Sequence, residues 1–310
     1  FVFMGVALQR SGISEDMFDA FHAWSGRLRG GLAVATCWLA AALAAMVGNS
    51  AGATITSGLV ALPAMKKHNY SDFLRFGSVG AAGTMGILIP PSIPLIAIGM
   101  ASGTSIPKLF AGGLTSGLFI VALFTIYILL TAWIRPETGP SLGETVSFTE
   151  KVRHLKAVGL PLFIIVAVLG TIFGGIATPT EAAAAGSVAV CISVTIRRRF
   201  SWEFIKATSY STAVTTGMIM WIMFGSAGFI AVYAGGGGCA FVQELRAREK
   251  IKKCASIGKV QAIAFILGMF IDPMGIILIC VPMFYSVVSA SGFDLIWFSI
   301  IFTINLCMGY

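Results

Sequence analysis

Glycines, prolines and hydroxyl residues are concentrated in one apolar stretch of the sequence, Gly80–Pro94, which reads GAAGTMGILIPPSIP. The glycines loosen the backbone, and the prolines lack N–H donors and push the residues before them out of the helical region. In a membrane, carbonyl groups freed in this way are tolerated only when they are buried in protein or face a wet cavity. Transporters use such broken helices to bind ions and small solutes. We therefore predict a broken helix with a binding role, and a proline-kinked structural helix is the alternative.

A second unusual position is Asp272, the only acidic residue in the apolar run Val260–Ser291. It lies in the polar middle of that run, within Phe270–Gly275. An acid at membrane depth is costly and predicts a functional site. Because Asp-Pro is also a common helix start, Asp272 can in addition be the N-cap of a returning half-helix.

Glu181 is another acid at the edge of an apolar run, in the tetrapeptide Thr178–Glu181. Thr at the N-cap, Pro at the first helical position and Glu at the third form the pattern of a capping box. We expect Glu181 to cap a helix rather than to serve as an intramembrane acid.

The composition predicts an all-α integral membrane protein. Of the 310 residues, 57% are hydrophobic and 11% are charged, whereas a soluble domain carries about 25% charged residues. The apolar runs approach the length of about 20 residues that a spanning helix needs, and they lack the alternation of a barrel strand. The net charge of +8 bears on orientation, and no basic stretch is interleaved with aromatics as in nucleic-acid binders.

The motifs of enzymes and ATP-driven pumps are absent from the sequence. No P-loop, HExxH or GxSxG occurs, and none of the 6 cysteines forms a CxxC pair. The 3 histidines lie far apart beside polar or basic loop residues. We predict that the protein is not an enzyme and has no cofactor and no metal site of the histidine or cysteine type.

Basic residues flank the apolar run Leu32–Met65 on both sides. If both flanks are cytoplasmic, the run must enter the membrane and return. Its two halves of about 15 residues are short for full spans. We predict a re-entrant helical hairpin with its tip at Gly48, Asn49 and Ser50, and two short full spans are the alternative. The small residues of the tip also suit close helix packing without any ligand.

The chain divides into six predicted segments, and both of its ends fall inside apolar runs, so we expect it to be part of a longer polypeptide. The segments are 1–31, the end of a scaffold helix and an interfacial helix; 32–134, a first repeat with hairpin 32–65, broken helix 76–102 and helix 111–134; 135–156, a cytoplasmic loop and a basic helix start; 157–233, scaffold helices of a second repeat; 234–259, a basic connection; and 260–310, a second hairpin and the start of a second broken helix.

Two parts of the sequence share a spacing that suggests an internal repeat. Gly86 follows Tyr70 by sixteen residues (86 − 70), and Gly309 follows Phe293 by the same distance (309 − 293). The alignment pairs Thr84-Met85-Gly86 with Cys307-Met308-Gly309. Two copies of a hairpin followed by a broken helix predict an inverted-repeat transporter with its site at the repeat interface.

Several blocks closely resemble the large membrane subunit of TRAP (tripartite ATP-independent periplasmic) transporters over nearly the whole chain. They are GNSAGAT, LPAMKKHNY, GTMGILIPPSIPLIAIG, TSIPKLFAGG, ATPTEAAAAG, GMFIDPMGIILICVPMF and GFDLIWFSIIFTINLCMG. The resemblance implies an elevator-type, sodium-coupled importer in the bacterial inner membrane, crossing it several times. Its implied partners are a small membrane subunit, a periplasmic binding protein that delivers the substrate, and an organic acid anion as that substrate.

In that family the two hairpin tips and the two broken helices enclose the sodium and substrate sites. Carried over by position, the candidates are Gly48, Asn49, Ser50, Gly83, Thr84, Gly86, Pro90, Ser92, Asp272, Asn305, Met308 and Gly309. Sodium is the implied coupling ion. As a hard cation it favours oxygen ligands, as calcium and magnesium do, and backbone carbonyls at glycine-rich breaks supply them. Helix N-termini at the hairpin tips would favour a substrate carboxylate.

Two features depart from the family pattern. The Thr-Pro-Pro segment expected after Gly309 is missing, and Arg246–Lys259 would be periplasmic, against the positive-inside tendency. No arginine lies inside an apolar run, so a carboxylate clamp is not evident.

A sodium and anion symporter that needs no binding protein is the alternative function, and a channel or structural membrane subunit is the alternative class.

Overall fold

A computed structural model describes residues 1–26, 28–48, 50–141, 148–238, 253–290 and 292–309, and this part of the chain is built from helices. It contains 13 α-helices and no strand, which confirms the predicted all-α class. In chain order they are α1 (Val2–Arg10), α2 (Ile13–Ser25), α3 (Gly31–Val47), α4 (Ser50–Lys67), α5 (Asp72–Gly83), α6 (Ile93–Ser102), α7 (Ile106–Ile134), α8 (Phe148–Phe173), α9 (Pro179–Ile196), α10 (Trp202–Gly235), α11 (Lys253–Gly268), α12 (Pro273–Ala290) and α13 (Leu295–Gly309). Two 3₁₀ helices, Thr84–Ile87 and Pro136–Thr138, follow α5 and α7.

Three of the described helices, α7, α9 and α10, are long and apolar enough to span a bilayer on their own. At 1.5 Å per residue, the 29 residues of α7 measure about 44 Å, which exceeds the hydrocarbon core of about 30 Å. Large apolar side chains such as Trp221 and Phe224 are exposed along α10. A helix with this outward-facing apolar surface suits a lipid environment.

The core of the molecule is α3, which packs against α1, α2, α4, α5 and α7. Fourteen of its 17 residues are buried, because the sequence GLAVATCWLAAALAAMV is apolar on every side. Its length of about 26 Å is a little less than the hydrocarbon core. Gly5 permits the contact with α1, since a Cβ there would lie 2.5 Å from the Met46 carbonyl oxygen.

α3 and α4 form a helical hairpin, and Gly48 directly follows the end of α3. At the open end of the hairpin, the phenol oxygen of Tyr70 accepts a hydrogen bond from the Leu32 N–H at 3.3 Å. The far face of α4 carries exposed Ile55 and Leu59, while α3 is enclosed. The hairpin is therefore buried on the α3 side and open on the α4 side.

The Gly80–Pro94 stretch breaks the helix in the middle of its apolar sequence. α5 ends at Gly83, the 3₁₀ turn Thr84–Ile87 follows, and α6 starts only at Ile93. The peptide bond between Pro90 and Pro91 is cis. Two consecutive prolines remove two donors and stop a helix from continuing, which accounts for the gap.

The last three helices repeat the order of a hairpin followed by a further helix. α11 and α12 pack together through a turn that ends at Asp272, and α13 packs against α11 and α7. α12 also contacts α6 and α10, and α13 contacts the 3₁₀ turn Thr84–Ile87. The second half is thereby in direct contact with the break in the first half.

One predicted boundary differs from the structure. α7 starts at Ile106 rather than Ala111, since Ser105 and Pro107 provide a helix start. Half of Arg246–Lys259, residues 246–252, lies outside the described residues, and the other half is the start of α11.

The capping box predicted at Glu181 is confirmed. The Glu181 carboxylate accepts a hydrogen bond from the Thr178 N–H at 2.8 Å, and the Thr178 hydroxyl accepts one from the Glu181 N–H at 3.4 Å. Glu181 is exposed, and its carboxylate is hydrogen-bonded to Thr178, the N-cap residue of α9. Its role is therefore to cap this helix.

Gly83→Ala is expected to destabilise the packing between α4 and the broken helix. A Cβ at residue 83 would lie 1.8 Å from Thr54 Oγ1 and 2.9 Å from Thr54 Cα, so the backbones must separate. Overpacking of this kind costs about 1–3 kcal/mol. Gly80→Ala is the matched control, because it lies on the same helix with nothing within 4 Å. Thermal unfolding of the purified membrane complex should show a lower midpoint for Gly83→Ala alone, and equal midpoints would contradict the contact.

Candidate functional site

A cavity of about 220 Å³ lies where the two hairpin tips meet the break between α5 and α6. We call it the tip cavity. Each of four structural parts contributes a group of lining residues: Gly48, Ser50 and Ala51 from the first tip; Ile87, Ile93 and Pro94 from the break; Asp272, Pro273 and Met274 from the second tip; and Thr215, Met218 and Ile219 from α10. Segments more than 200 residues apart in sequence, such as Gly48 and Asp272, thus share one cavity.

The first hairpin tip is fixed to the break by a backbone hydrogen bond. The Ile93 N–H, at the start of α6, donates to the Gly48 carbonyl oxygen at 3.2 Å. Gly48 has a left-handed backbone with φ +65°, which glycine adopts without cost. A Cβ at Gly48 would lie 2.4 Å from the Pro91 carbonyl oxygen, so only glycine fits against the break.

Ser92 satisfies the backbone on both sides of the break. Its hydroxyl donates to the Ile87 carbonyl oxygen and accepts from the Leu95 N–H at 3.4 Å, as the N-cap of α6. The side chain is fully buried. Pro90 is buried as well, and it lies inside the break without lining the cavity. Both residues therefore have a structural role in the break. The Ser92 hydroxyl fills this role through its two backbone hydrogen bonds.

Asp272 is the N-cap of α12 and also lines the tip cavity. One carboxylate oxygen accepts a hydrogen bond from the Met274 N–H at 2.9 Å. The residue is exposed, and among the described residues it takes part in no ion pair. The other carboxylate oxygen has no hydrogen bond in the described structure. Asp272 can therefore cap α12 with one oxygen and offer the other as a ligand.

Three helix N-termini converge on the tip cavity. α4 starts at Ser50, α6 at Ile93 and α12 at Pro273, and each of these residues lines the cavity. Each N-terminus carries about half a positive charge from its aligned peptide dipoles. The Asp272 carboxylate offsets part of this positive field. The cavity thus combines a field that favours anions with carboxylate, hydroxyl and carbonyl oxygens that favour cations.

A second meeting point joins the break to the end of α13. The Cys307 thiol lies 3.5 Å from the Thr84 carbonyl oxygen, in hydrogen-bonding range for sulfur. Gly83, next to Thr84, packs against Thr54 of the first hairpin, and Gly86 is buried in the 3₁₀ turn. These candidates lie one turn before the prolines and do not line the tip cavity.

The three remaining candidates lie along α13, away from the tip cavity. The Asn305 amide donates to the backbone oxygen of Gln261 at 2.5 Å and to its side-chain oxygen at 2.9 Å. Met308 is exposed, and Gly309 packs against Gly268. Asn49 lies outside the described residues. The structure therefore brings Gly48, Ser50 and Asp272 into one cavity and places the α13 group elsewhere.

Sequence reasoning overlooked the contribution of α10. Thr215 lines the tip cavity, and Ser211 lies one helical turn before it. The sequence did contain a signal for this contribution, because Ser211 and Thr215 are hydroxyl residues four positions apart in an apolar stretch and so lie on one face of the helix. Within the described residues, no group of three His, Cys, Asp or Glu side chains forms a metal-binding cluster.

Comparison with known proteins gives consistent matches along the chain. The family described as "Tripartite ATP-independent periplasmic transporter, DctM component" matches residues 1–310. An ectoine/5-hydroxyectoine TRAP transporter large permease protein of Ruegeria pomeroyi is 32% identical over 314 residues, covering 100% of this chain and 72% of that protein. A C4-dicarboxylate TRAP transporter large permease protein of Pseudomonas aeruginosa is 28% identical with the same coverage. An isethionate TRAP transporter permease protein of Oleidesulfovibrio alaskensis is 29% identical, over 100% of this chain and 49% of that protein.

Gly48→Ala is expected to detach the first hairpin tip from the break. The substitution adds left-handed strain of about 1–2 kcal/mol and a collision with the Pro91 carbonyl that lengthens the Ile93–Gly48 hydrogen bond. Gly103→Ala is the control, because Gly103 has φ +68° and nothing within 4 Å of its Cβ position. Hydrogen exchange of the purified complex should show faster exchange at Ile93 in Gly48→Ala than in Gly103→Ala. The same rate in both variants would contradict the role of this contact.

Proposed function

Because the chain belongs to the family of the DctM component of tripartite ATP-independent periplasmic transporters, whose members are transporters and not enzymes, we propose that it is the membrane subunit of a sodium-coupled importer of an organic acid anion. The observation that carries this proposal is the convergence of two hairpin tips, one broken helix and α10 on the tip cavity. Secondary transporters bind solute and coupling ion where interrupted helices meet in the middle of the membrane.

Sodium is proposed as the coupling ion because of the oxygen groups at the tip cavity. Ser50 and Thr215 bring hydroxyls, and Asp272 brings a carboxylate. Hard cations are bound by such oxygen ligands. One carboxylate compensates one positive charge, and among the described residues Asp272 is the only acid that lines this cavity.

An organic anion is proposed as the substrate because three helix N-termini point at the same cavity. Carboxylates are stabilised at helix N-termini by the dipole and by N–H groups. The relatives named above are described as transporters of ectoine, of C4-dicarboxylates and of isethionate. The choice among such solutes is assigned to the binding protein that delivers them.

The mechanism is proposed to be an elevator motion of a two-fold repeated unit. The contact of Cys307 with the Thr84 carbonyl supports a symmetric arrangement, because the repeat aligns these two positions. The contrast between the enclosed α3 and the outward-facing α10 supports a compact moving part beside a lipid-facing scaffold. The proposed partners are a small membrane subunit and a periplasmic binding protein, as the tripartite family implies.

Uptake by the complete transporter in proteoliposomes should require an inward sodium gradient. The assay offers labelled ectoine, succinate and isethionate in turn, each with and without the binding protein. Uptake of one of them that depends on both sodium and the binding protein is expected. Uptake that ignores sodium would contradict the proposal, and uptake without the binding protein would favour an independent symporter.

Asp272→Asn is expected to raise the sodium concentration for half-maximal uptake by about tenfold, equivalent to about 1.4 kcal/mol of lost cation binding. Asn retains the N-cap hydrogen bond to the Met274 N–H and removes only the charge. Asp294→Asn is the matched control, since Asp294 caps α13 through the Trp297 N–H at 2.8 Å and does not line the cavity. An unchanged sodium response in Asp272→Asn would refute the assignment of this residue.

A further inference from the structure

A second cavity of about 400 Å³ lies beside the tip cavity, toward the end of α1. Ile93 and Thr215 line both cavities, so the two spaces lie side by side with these residues between them. We call the second cavity the α1 crevice. α4 forms one wall and α10 the other, and the end of α1 lies between them. A volume of this size is in the range of small-molecule sites.

The α1 crevice is closed at two points by hydrogen bonds between different helices. The Gln9 amide of α1 donates to the Thr56 hydroxyl of α4. The Arg10 guanidinium of α1 donates to the Ser211 hydroxyl of α10 at 2.9 Å. These two bonds hold α1 to both walls of the crevice, and each depends on a side-chain contact that an incoming polar solute can replace.

Of the residues that the structure describes, Arg10 is the only charged one that lines the α1 crevice. It is exposed, and none of the carboxylates whose side chains the structure describes forms an ion pair with it. The Ser211 hydroxyl accepts one hydrogen bond from the Arg10 guanidinium, which has five N–H donors. A carboxylate matches the remaining donors in charge and in bidentate geometry.

The chain that follows α1 is bound by basic residues from the junction of α9 and α10. Arg199 donates to the carbonyl oxygen of Ser11, the residue next to Arg10, at 3.0 Å, and Arg197 pairs with Asp16 at 2.8 Å. By the positive-inside tendency these basic residues lie on the cytoplasmic side. Thr215 lines the tip cavity and lies four residues after Ser211 on α10 (215 − 211), so the edge of the tip cavity is about 6 Å from Ser211 along the helix axis.

We propose that the α1 crevice is the passage from the tip cavity to the cytoplasm and that Arg10, held by Ser211, binds the carboxylate of the departing solute. This inference rests on the proposed function and assigns its exit route. The Arg10–Ser211 bond opens when the carboxylate takes its place, and the Gln9–Thr56 bond keeps the α1 and α4 walls together. Arg10 becomes a solute-binding residue that the apolar pattern of the sequence did not indicate.

The uptake test compares Arg10→Gln with the control Lys206→Gln in the complete transporter. Lys206 lies on α10, is exposed and does not line the crevice. Arg10→Gln should lower the initial rate of uptake of the transported carboxylate by about tenfold or more, as for the loss of one charge-assisted hydrogen bond. Arg10→Lys should recover part of the rate, and Lys206→Gln should resemble the wild type. The sodium concentration for half-maximal uptake should not change in any of the three.

The outcomes separate this inference from the proposed function. Absence of sodium-dependent uptake in the wild type counts against the proposed function. Normal uptake by Arg10→Gln in a transporter that is active and sodium-dependent overturns the inference alone. If Arg10→Gln lowers the uptake rate and also shifts the sodium response, the inference is overturned, because the effect is then structural. If Lys206→Gln lowers the rate as much as Arg10→Gln does, the inference is also overturned, because the effect is then one of general charge.

A binding measurement decides the inference without any uptake. Phenylglyoxal modifies accessible guanidinium groups, and mass spectrometry of the purified complex reports the extent at Arg10. Succinate and formate should each slow the modification of Arg10 severalfold, whereas glycerol should not, and Arg198 serves as an exposed internal control. Modification of Arg10 at the same rate with and without both anions would overturn the proposal.

Discussion

The backbone at the break between α5 and α6 must find hydrogen-bond partners outside its own helix, and the central part of the structure depends on this constraint. In lipid an unsatisfied carbonyl or N–H costs several kcal/mol. Here the Gly48 carbonyl accepts from the Ile93 N–H, the Ser92 hydroxyl donates to the Ile87 carbonyl, and the Cys307 thiol reaches the Thr84 carbonyl. A first hairpin, a break and a late helix are therefore held together by the groups that a continuous helix would have satisfied internally.

The same constraint explains why charge accumulates at one place in an otherwise apolar protein. Breaking helices and turning hairpins inside the apolar region creates helix ends, and the starts of α4, α6 and α12 all face the tip cavity. Asp272 is tolerated there because it caps one of these starts and is offset by the dipoles of all three. The interrupted helices thus leave three N-termini and one carboxylate at the same cavity.

Small residues set how closely these parts approach. Gly83 lets α5 touch Thr54 of α4, and Gly5 lets α1 touch the end of α3 at Met46. Close backbone approach of this kind is a general basis of helix association in membranes. Because α1 lies so near the first hairpin tip, its last residues reach the crevice that leads away from the tip cavity. The close approach of α1 to α3 at Gly5 therefore also places Arg10, at the end of α1, beside the crevice.

The all-α membrane class, the position of the break at Gly80–Pro94, the capping role of Glu181 and the unusual position of Asp272 could all be read from the sequence alone. They follow from composition, from proline and glycine chemistry and from capping, which are local and need no knowledge of neighbours. The fold was needed to show that Gly48, Ser50 and Asp272 share a cavity, that Asn305 instead binds Gln261, and that Thr215 and Arg10 line the adjoining cavity. Which helix faces meet depends on packing between residues more than 200 positions apart, and periodicity along one helix carries no information about its partner.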